Sequence, residues 1–524
     1  QDMNRREFSR MAAIGSAIGM VPLKSEAKAQ VKAGGTATGQ RRPNLLFIFP
    51  DQFRLQALGI WSKEGYREAI GGVSDPVFTP CLDKLAKESV LFTQACSTFP
   101  LCSPYRGMLM SGMYPANNGV ENNCRTDRKD SLRHDVDCLT DVLHSRGYET
   151  AYVGKTHWEQ NENLFDEEGN YVGLQKAPGG HPMNDYDTYI PEGRGRHSVK
   201  YWFQCVKDVH KDPRVYSTDP ARVEGKRDGE QHRPGVYSPR LESDVIVDYL
   251  KNTDNQRDAA QPFCLIWAPN PPHNPYGSEE DCDEIAYREH YKGKSPRELL
   301  NRPNLKAQPG NQGPESVAYY FANVTGIDKQ VQRVLQALEE IGEADNTVVV
   351  FTSDHGEMMG SQGEMGKNFI YEESFLVPLM IRFPQQLNHR LEDLMLTPVD
   401  FMPTLLGLLG LGRAIPETVE GTNYAEALRT GDFGRSPKPE TVPYIGPGKR
   451  GIRSNRYSLV VDEGGSTLLF DHKEDPYQLR NIPFSALPGR VRSELLASLG
   501  SWLKRMNDPW YHQKIHADLI DYPA

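Results

Sequence analysis

The sequence has no excess of basic residues. Its 60 lysine and arginine residues are outnumbered by 70 aspartate and glutamate residues, which gives a formal net charge of −10. Because no dominant positive field surrounds the chain, we do not expect it to bind nucleic acid. An anionic substrate would have to be held by a local cluster of cations.

Cysteine is also scarce, with eight residues in a chain of 524. That number is too small for the dense disulfide framework that stabilises small secreted domains. The rest of the composition, 38% hydrophobic and 25% charged, is typical of a globular protein. We therefore expect a large α/β domain and a smaller second domain, each with a hydrophobic core.

Long apolar runs are missing as well. The run at residues 11–23 has 13 residues, whereas a stable membrane-spanning helix needs about 20. It follows Arg5 and Arg6 and precedes an Ala-Lys-Ala tripeptide at residues 27–29, which is the order of a secretory signal. The paired arginines resemble signals read by the twin-arginine export machinery. We predict a signal peptide at residues 1–30, no stable membrane span, and a bacterial protein that is periplasmic or secreted.

Four short apolar segments have the pattern of strands that are buried on both faces. They alternate with helical patterns, which predicts right-handed crossovers and a mostly parallel sheet. The four predicted strands are residues 45–49, 150–153, 263–267 and 347–351.

Three helical patterns lie between these strands. The first begins at residue 80, and Thr79 is expected to cap it. The second spans residues 138–146 and stops at a glycine, and the third spans residues 320–341 with apolar residues at helical spacing.

Polar side chains follow each of the four predicted strands. In a parallel sheet the carboxyl ends of the strands share one edge, where ligands bind. Each of these residues alone could be a helix cap, a turn or a solvated loop residue, but together they predict one site. Aspartate oxygens there would suit calcium or magnesium. The residues are Asp51, Gln52, Lys155, His157, His273, Asp354 and His355.

The stretch at residues 99–112 places Cys102, Pro104 and Arg106 at fixed offsets. Pro104 disfavours a helical conformation at the preceding residue, so we expect Cys102 in an extended turn. A short helix is predicted from Arg106 onward, ending at Gly112. Taken alone, Cys102 is either a buried structural cysteine or a thiolate whose pKa is depressed by nearby positive charge.

The pattern Cys102-x-Pro104-x-Arg106, followed by an apolar turn and Ser111-Gly112, resembles the signature of the type I (formylglycine-dependent) sulfatases. These belong to the alkaline phosphatase superfamily, and the resemblance extends over nearly the whole chain beyond residue 43. It implies a large, mostly parallel sheet sandwiched by helices and a smaller C-terminal α+β subdomain with an antiparallel sheet. We place the catalytic domain at residues 41–435 and the subdomain at 436–524.

The resemblance also implies a modification of Cys102. In this family a maturation enzyme oxidises the cysteine to Cα-formylglycine, whose hydrate receives the sulfate in a covalent sulfo-enzyme intermediate. A thiol would instead leave a stable thiosulfate ester, whereas a diol can expel sulfate by collapsing to the aldehyde.

A metal ion is implied by the same resemblance. Its ligands would be Asp51, Gln52, Asp354 and His355, together with an oxygen of the modified Cys102. The ion would be Ca²⁺, with Mn²⁺ or Mg²⁺ as alternatives. Gln52 is a departure, because many members of the family carry a second aspartate there.

The family's remaining functional residues match five positions. Arg106 would hold the diol, and Lys155 and Lys367 would contact the sulfate oxygens. His273, with Lys367, would protonate the leaving oxygen. His157 would take the proton of the second hydroxyl when sulfate is expelled.

The substrate would be contacted by loops. Residues 161–240 and 276–313 are polar and rich in glycine and proline, which predicts long loops over the strand ends. The first region combines cations and aromatic rings that could bind a sulfated sugar, with Trp202 or Tyr201 stacking on it; the alternative is a solvated loop with one packed aromatic residue. The candidate residues are Arg194, Arg196, His197, Tyr201, Trp202 and His210.

The sequence therefore predicts hydrolysis of sulfate esters, with a sulfated glycan as the substrate. One alternative is a phosphodiesterase or phosphonate monoester hydrolase that uses the same site. Another is a sulfated-glycan-binding protein whose Cys102 is never modified. A Cys–His thiol hydrolase is disfavoured, because it would leave Asp51, Asp354 and Lys367 without a role.

Overall fold

The computed structural model describes residues 41–125, 128–160, 187–206, 209–306 and 316–523. The predicted signal peptide at residues 1–30 lies outside these ranges, as do parts of both predicted loop regions. Among the helices of these ranges, none combines the length and the apolar character that crossing a membrane requires.

The large sheet contains nine strands within the described residues. They are β1 (Asn44–Ile48), β2 (Val90–Phe92), β3 (Glu149–Gly154), β4 (Tyr201–Cys205), β5 (Val215–Ser217), β6 (Phe263–Ala268), β7 (Thr347–Phe351), β8 (Leu379–Arg382) and β9 (Arg390–Glu392). Their order across the sheet is β5-β4-β3-β6-β1-β7-β8-β2-β9.

The four strands predicted from apolar segments are neighbours at the centre of this sheet. The strands β3, β6, β1 and β7 pair in parallel, with Leu46 opposite Leu265 on one side and Val349 on the other. The predicted bounds agree with the observed ones to within a residue. Because their carboxyl ends share one edge, the residues just beyond them are brought together.

The described α-helices cover both faces of the large sheet, except for the last two, which pack with a second, smaller sheet near the C-terminus. They are α1 (Pro80–Lys87), α2 (Cys102–Ser111), α3 (Pro115–Asn118), α4 (Leu139–Ser145), α5 (Ser238–Lys251), α6 (Glu284–Ala286), α7 (Pro296–Leu299), α8 (Val317–Glu340), α9 (Glu372–Phe375), α10 (Pro398–Leu408), α11 (Ala425–Thr430), α12 (Gly489–Arg505) and α13 (Pro509–Gln513).

Alternate side chains of each central strand enter two different cores. Leu46 and Ile48 of β1 belong to one buried cluster, with apolar residues of α1, α5 and α8. Leu45 and Phe47 belong to the other, with residues of α2, α4 and α10. Burial on both faces explains why these strands are continuous apolar runs. The three-layer arrangement confirms the predicted fold class.

A second, smaller sheet forms near the C-terminus. Its strands β10 (Thr441–Gly446), β11 (Lys449–Ser454), β12 (Tyr457–Asp462) and β13 (Thr467–Asp471) are antiparallel neighbours. Leu499 and Leu503 of α12 lie in the same buried cluster as Ile452 and Leu459 of this sheet. The antiparallel subdomain was predicted; its boundary at residue 435 stays a prediction.

The helix α2 starts earlier than predicted. It begins at Cys102 itself, and the preceding Leu101 is extended, with φ −148° and ψ 136°. The expectation of an extended turn at Cys102 was therefore wrong. Pro104 is tolerated because it lies in the first turn, where backbone N–H groups have no partner inside the helix. The predicted end is confirmed, since Gly112 adopts the left-handed conformation with φ 67°.

The helix α1 is capped by a residue far away in the sequence. Thr79 occupies the predicted N-cap position, but its hydroxyl donates to Asp83 Oδ1 (3.0 Å) instead of accepting from the helix backbone. The carboxylate of Asp328, on α8, accepts from the backbone N–H groups of Leu82 (2.7 Å) and Cys81 (3.2 Å). A long-range contact thus provides the cap that the local pattern assigned to Thr79.

The proposed sugar-stacking residues lie in the core. Tyr201 and Trp202 belong to β4, and Trp202 is completely buried beside Tyr152 and Trp158, with the Arg196 guanidinium 4.7 Å from its ring. The prediction that Trp202 or Tyr201 stacks on a sugar was wrong. The region contains a strand of the main sheet, whose aromatic side chains pack inward.

Three of the other loop candidates are buried and have protein partners. Arg196 pairs with Asp228 (2.7 Å), the His197 ring contacts Asp141 (3.1 Å), and the His210 ring donates to the Asp281 carbonyl (2.7 Å). Arg194, in contrast, is exposed. The fold itself therefore engages these three side chains, and Arg194 stays a candidate for contact with a substrate.

Replacing Trp202 with alanine is expected to affect stability, not substrate binding. The change would leave a large cavity and lower the free energy of unfolding by about 3–5 kcal/mol. Urea unfolding measures that loss, and steady-state kinetics of the folded fraction should show an unchanged KM. Trp502→Ala, on a partly buried ring of α12, is the matched control and should cost less. A raised KM with unchanged stability would contradict this assignment.

Candidate active site

Four buried side chains meet where β1 and β7 end and α2 begins. Asp51, Cys102, Asp354 and His355 each offer one potential ligand atom, and these atoms all lie within 4.8 Å of one another. Asp51 lies just beyond β1, Asp354 and His355 lie just beyond β7, and Cys102 is the first residue of α2. Residues that are far apart in the sequence are therefore neighbours at one edge of the sheet.

Positive charge surrounds the Cys102 sulfur. His355 Nε2 lies 3.3 Å from it and Lys367 Nζ lies 3.4 Å from it, while Asp51 Oδ1 is 3.7 Å away. Burial and Asp51 raise the pKa of the thiol, but Lys155, Lys367 and His355 outweigh them and lower it from 9.0 to about 7. The N-terminal end of α2 adds a favourable dipole. This position is suited to a negatively charged group.

Two buried cations hold the carboxylates of the site. Arg106 Nη2 is 3.2 Å from both Asp51 Oδ2 and Asp354 Oδ2, and Lys155 Nζ donates to Asp51 Oδ2. The guanidinium lies over the Phe49 ring and donates to the Lys155 carbonyl (2.7 Å). Although burial raises the pKa of Asp51, Lys155 and the neighbouring cations hold it well below its usual range. Asp51 is therefore ionised at neutral pH.

The imidazole of His355 is oriented by its own backbone. Its Nδ1 donates to the Gly356 carbonyl (3.0 Å), so that Nε2 faces Asp51 and Cys102. Such a second hydrogen bond is typical of histidines that bind metals, because it fixes the ring and its tautomer. With the two carboxylates, this nitrogen forms a donor set that fits a hard divalent cation.

Gln52 contributes an amide to the same site. Its Oε1 accepts from Lys367 Nζ (2.8 Å), and its backbone N–H donates to Asp354 Oδ1 (3.0 Å). Gln52 and His157 both adopt positive φ, at 66° and 54°. Such conformations cost about 1–3 kcal/mol each in residues other than glycine and persist where the surroundings impose them, often at functional sites.

Lys367 and His273 form a pair at the open side of the cluster. The His273 Nδ1 donates to the Asn274 carbonyl (2.8 Å), so its Nε2 accepts from Lys367 Nζ (2.6 Å). Lys367 is partly exposed, whereas the cations Arg106 and Lys155 are buried beneath it. The pair can therefore meet a substrate and share a proton with it.

The loop that carries Lys367 is held from two directions. Glu357 Oε1 accepts from the backbone N–H of Gly366 (2.7 Å), and the Tyr444 hydroxyl of the small sheet donates to the Asn368 carbonyl (2.7 Å). Sequence reasoning missed both Glu357 and Tyr444. Glu357 could have been noticed as an acidic residue just beyond Asp354 and His355, but nothing in the sequence signals Tyr444.

His157 is connected to the start of α2. Its Nε2 donates to the Cys124 carbonyl (3.2 Å), and the Cys124 N–H donates to Ser103 Oγ (3.1 Å). In a neutral ring this leaves Nδ1 as the basic nitrogen. These two hydrogen bonds link His157 to Ser103, the residue that follows Cys102. The other predicted site residues are in direct contact with one another; they are Asp51, Gln52, Cys102, Arg106, Lys155, Asp354, His355, His273 and Lys367.

The chain is similar to known proteins over most of its length. The sulfatase family model matches residues 43–411, and the model described as N-sulphoglucosamine sulphohydrolase, C-terminal, matches residues 360–504. An endo-4-O-sulfatase of Bacteroides thetaiotaomicron is 41% identical over 505 residues, covering 92% of this chain and 95% of that protein. An ulvan-active sulfatase of Formosa agariphila is 29% identical, covering 92% and 85%.

Solved structures agree with this similarity. A protein solved in a study of how Bacteroides thetaiotaomicron metabolises multiple glycosaminoglycans has a TM-score of 0.84 and 39% identity, covering 92% of this chain and 100% of that chain. A putative sulfatase of Bacteroides fragilis has a TM-score of 0.76 and 30% identity, covering 92% and 99%. With a family model that matches more than half of its length, this chain belongs to the sulfatase family and is an enzyme that hydrolyses sulfate esters.

Proposed function

We propose that this sulfatase removes sulfate from a sulfated glycan outside the cytoplasm, using a Cα-formylglycine formed from Cys102. The observation that carries the proposal is the position of Cys102, at the start of α2 and in contact with Asp51, His355 and Lys367. The 41% identity to an endo-4-O-sulfatase, and the structural likeness to a protein of glycosaminoglycan metabolism, favour a sulfated glycosaminoglycan as the substrate class.

The contacts around residue 102 support a diol at this position. A diol offers two hydroxyl groups, and the site offers both carboxylates and cations to contact them. Arg106 would hold the diol, Lys155 and Lys367 would contact the sulfate oxygens, and Arg106 and Lys155 also balance the charge of Asp51 and Asp354. A glycosaminoglycan sulfate is anionic, and these cations supply the local positive charge that the acidic chain otherwise lacks.

In the first proposed step, one hydroxyl of residue 102 attacks the sulfur and loses its proton to Asp51. The bond between sulfur and the sugar oxygen breaks, and its electron pair remains on that oxygen. The leaving oxygen takes a proton from the pair formed by His273 and Lys367, which share one across 2.6 Å. General acid catalysis of this kind lowers the barrier because an alkoxide is a poor leaving group.

In the second proposed step, the other hydroxyl of residue 102 loses its proton to His157. The aldehyde forms again as the bond between carbon and the sulfate oxygen breaks, and sulfate departs with that electron pair. Water then adds to the aldehyde and restores the hydrate. The role of His157 agrees with its Nε2 donating to Cys124, which leaves Nδ1 to act as the base.

A divalent cation fits the donor set of Asp51, Gln52, Asp354 and His355, and we propose Ca²⁺. When bound, it would lower the pKa of the attacking hydroxyl and screen the negative ester oxygens. The carboxylates are held in place by Arg106, and the His355 imidazole by the Gly356 carbonyl. These contacts would prepare the ligands before the ion binds.

Release of sulfate from defined oligosaccharides tests the proposed function. We expect the protein, made in a host that modifies cysteine, to desulfate a 4-O-sulfated glycosaminoglycan oligosaccharide, as followed by mass spectrometry of the sugar. The neutral Gln52 also agrees with a phosphodiesterase, so kcat/KM for a phosphate diester should be measured in parallel. A higher value for the diester would contradict the proposal, and so would failure to desulfate a panel of glycosaminoglycans.

A further inference from the structure

Glu357 is a buried carboxyl group directly behind the proposed metal site. It receives four hydrogen bonds: from Gln52 Nε2 and the Tyr276 hydroxyl (3.1 Å) on Oε2, and from the N–H groups of Met359 (2.8 Å) and Gly366 (2.7 Å) on Oε1. All four partners donate, which is the pattern of a group that only accepts. The side chain is fully buried.

The two ends of the Gln52 amide face different partners. Its Nε2 donates to Glu357, while its Oε1 accepts from Lys367 Nζ (2.8 Å) on the side of the cluster. An amide has almost the same shape when its oxygen and nitrogen exchange places, so packing alone does not select one orientation. Two partners select the orientation. The Glu357 carboxylate accepts and the Lys367 ammonium donates, so the nitrogen lies toward Glu357 and the oxygen toward the proposed metal site.

We propose that Glu357 is a positioning residue that fixes the Gln52 amide with its oxygen toward the metal site and, through Gly366, holds the loop carrying Lys367. This inference rests on the proposed function, because it concerns a ligand of the same ion. If the amide were reversed, an NH₂ group would face the cation and one ligand would be lost. The loop would also lose the anchor that Glu357 provides.

The pairing explains why a glutamine can stand at position 52. A carboxylate there would place two negative groups within hydrogen-bond distance of each other in a buried site, which is costly. In this protein Gln52 is a neutral amide and Glu357 is the carboxylate. The pair therefore has one negative charge, on the residue that lies farther from the proposed metal site. An exchange of the two residue types would move that charge inward and leave the net charge of the chain unchanged.

The first test is Glu357→Gln. The new amide would use its oxygen for the N–H groups of Met359 and Gly366 and turn its NH₂ group toward Gln52, whose own amide would then face a donor at each end and lose its fixed orientation. Calorimetric titration with Ca²⁺, after removal of metal by EDTA, should show binding weakened by roughly 10- to 100-fold, the usual effect of losing a residue that orients a metal ligand. Thermal unfolding in EDTA checks that the variant folds.

The second test is the exchange Gln52→Glu/Glu357→Gln. The NH₂ group of the amide at position 357 would now donate to a carboxylate at position 52, whose other oxygen would face the ion. We expect Ca²⁺ affinity to return to the wild-type level or to exceed it. The single variant Gln52→Glu completes the double-mutant cycle. With Glu357 intact, a carboxylate at position 52 should bind Ca²⁺ less well than in the exchange variant, whereas equal affinities would show that added charge at position 52 explains the recovery.

Glu242→Gln is the matched control. Glu242 is equally buried on α5, lies outside the site and accepts from the Trp267 indole (2.8 Å). Burial raises its pKa to about 8, so the neutral amide is a close substitute. Its Ca²⁺ affinity should equal that of the wild type.

Three outcomes are distinguishable. Weak binding by Glu357→Gln with recovery in the exchange variant would support the inference. Wild-type affinity in Glu357→Gln, or no recovery in the exchange variant, would overturn the inference while leaving the proposed metal site intact. Failure of the wild-type protein to bind Ca²⁺ would overturn both.

Discussion

Replacing Cys102 with alanine is expected to abolish sulfate ester hydrolysis, with a loss of kcat on the order of 10⁵-fold or more. Alanine cannot be converted to formylglycine, so residue 102 would offer no hydroxyl to receive the sulfate. Its methyl group would also leave Lys367 and His355 without the group that they contact at 3.4 and 3.3 Å. The measurement is the rate of sulfate release from a glycosaminoglycan oligosaccharide by purified protein.

Cys264→Ala provides the control for this substitution. Cys264 is a buried cysteine of β6 in the sheet core, where burial raises the pKa of its thiol to about 12. Its loss removes a small apolar group from the core and should leave kcat close to that of the wild type. Retained turnover in Cys102→Ala, or an equal loss in Cys264→Ala, would contradict the role given to Cys102.

The second large effect is expected for His273→Ala on substrates with a poor leaving group. Hydrolysis of a sugar sulfate should slow by roughly 10²- to 10⁴-fold, because the alkoxide would leave without a proton. Hydrolysis of a nitrophenyl sulfate should slow far less, because a nitrophenolate leaves readily without protonation. The measurement is kcat/KM for both substrates, in the wild type and in the variant.

The dependence on the leaving group separates acid catalysis from simple damage to the site. A structural defect would slow both substrates by the same factor. Lys367→Ala should slow both substrates, because Lys367 would contact the sulfate of each, but it should slow the sugar sulfate more, since Lys367 Nζ and His273 Nε2 are 2.6 Å apart and would share the proton. His512→Ala, on the exposed His512 of α13, should change neither rate. Equal losses for both substrates in His273→Ala would contradict the assignment.

The central sheet was predictable because strands that are buried on both faces have nearly continuous apolar sequences. The residues of β1 and β7 are all buried, so their apolar runs are nearly continuous. The site residues just beyond their carboxyl ends were predictable as well, since neighbouring parallel strands bring the residues after them to one edge. The sequence alone therefore placed Asp51 and Asp354 close together.

Other features depend on contacts between distant residues, which a local pattern does not contain. The cap of α1 comes from Asp328, about 250 positions away from the helix it caps. Trp202 could be interpreted as a loop aromatic because β4 is short and lies between regions rich in glycine and proline; its burial is decided by Trp158 and Arg196. The local sequence around Trp202 did not distinguish an aromatic ring packed in the core from one that stacks on a sugar.

The start of α2 shows a different limit. Pro104 disfavours a helical Ser103 sterically, yet α2 includes Ser103. Pro104 itself is accommodated because N–H groups in the first turn have no partner inside the helix. The consequence matters for chemistry, since it places Cys102 inside the first turn instead of in a preceding loop. Glu357 was missed because its function lies in orienting Gln52, and the signature residues alone do not reveal such a partner.

The most direct test of the account is the mass of the peptide that carries Cys102. The protein should be made in its natural host, or in one with a cysteine-oxidising maturation enzyme, and then digested. We expect the peptide to have lost the thiol sulfur and to carry an aldehyde or its hydrate at residue 102. A peptide from such a host that contains only unmodified cysteine would contradict the proposed diol mechanism.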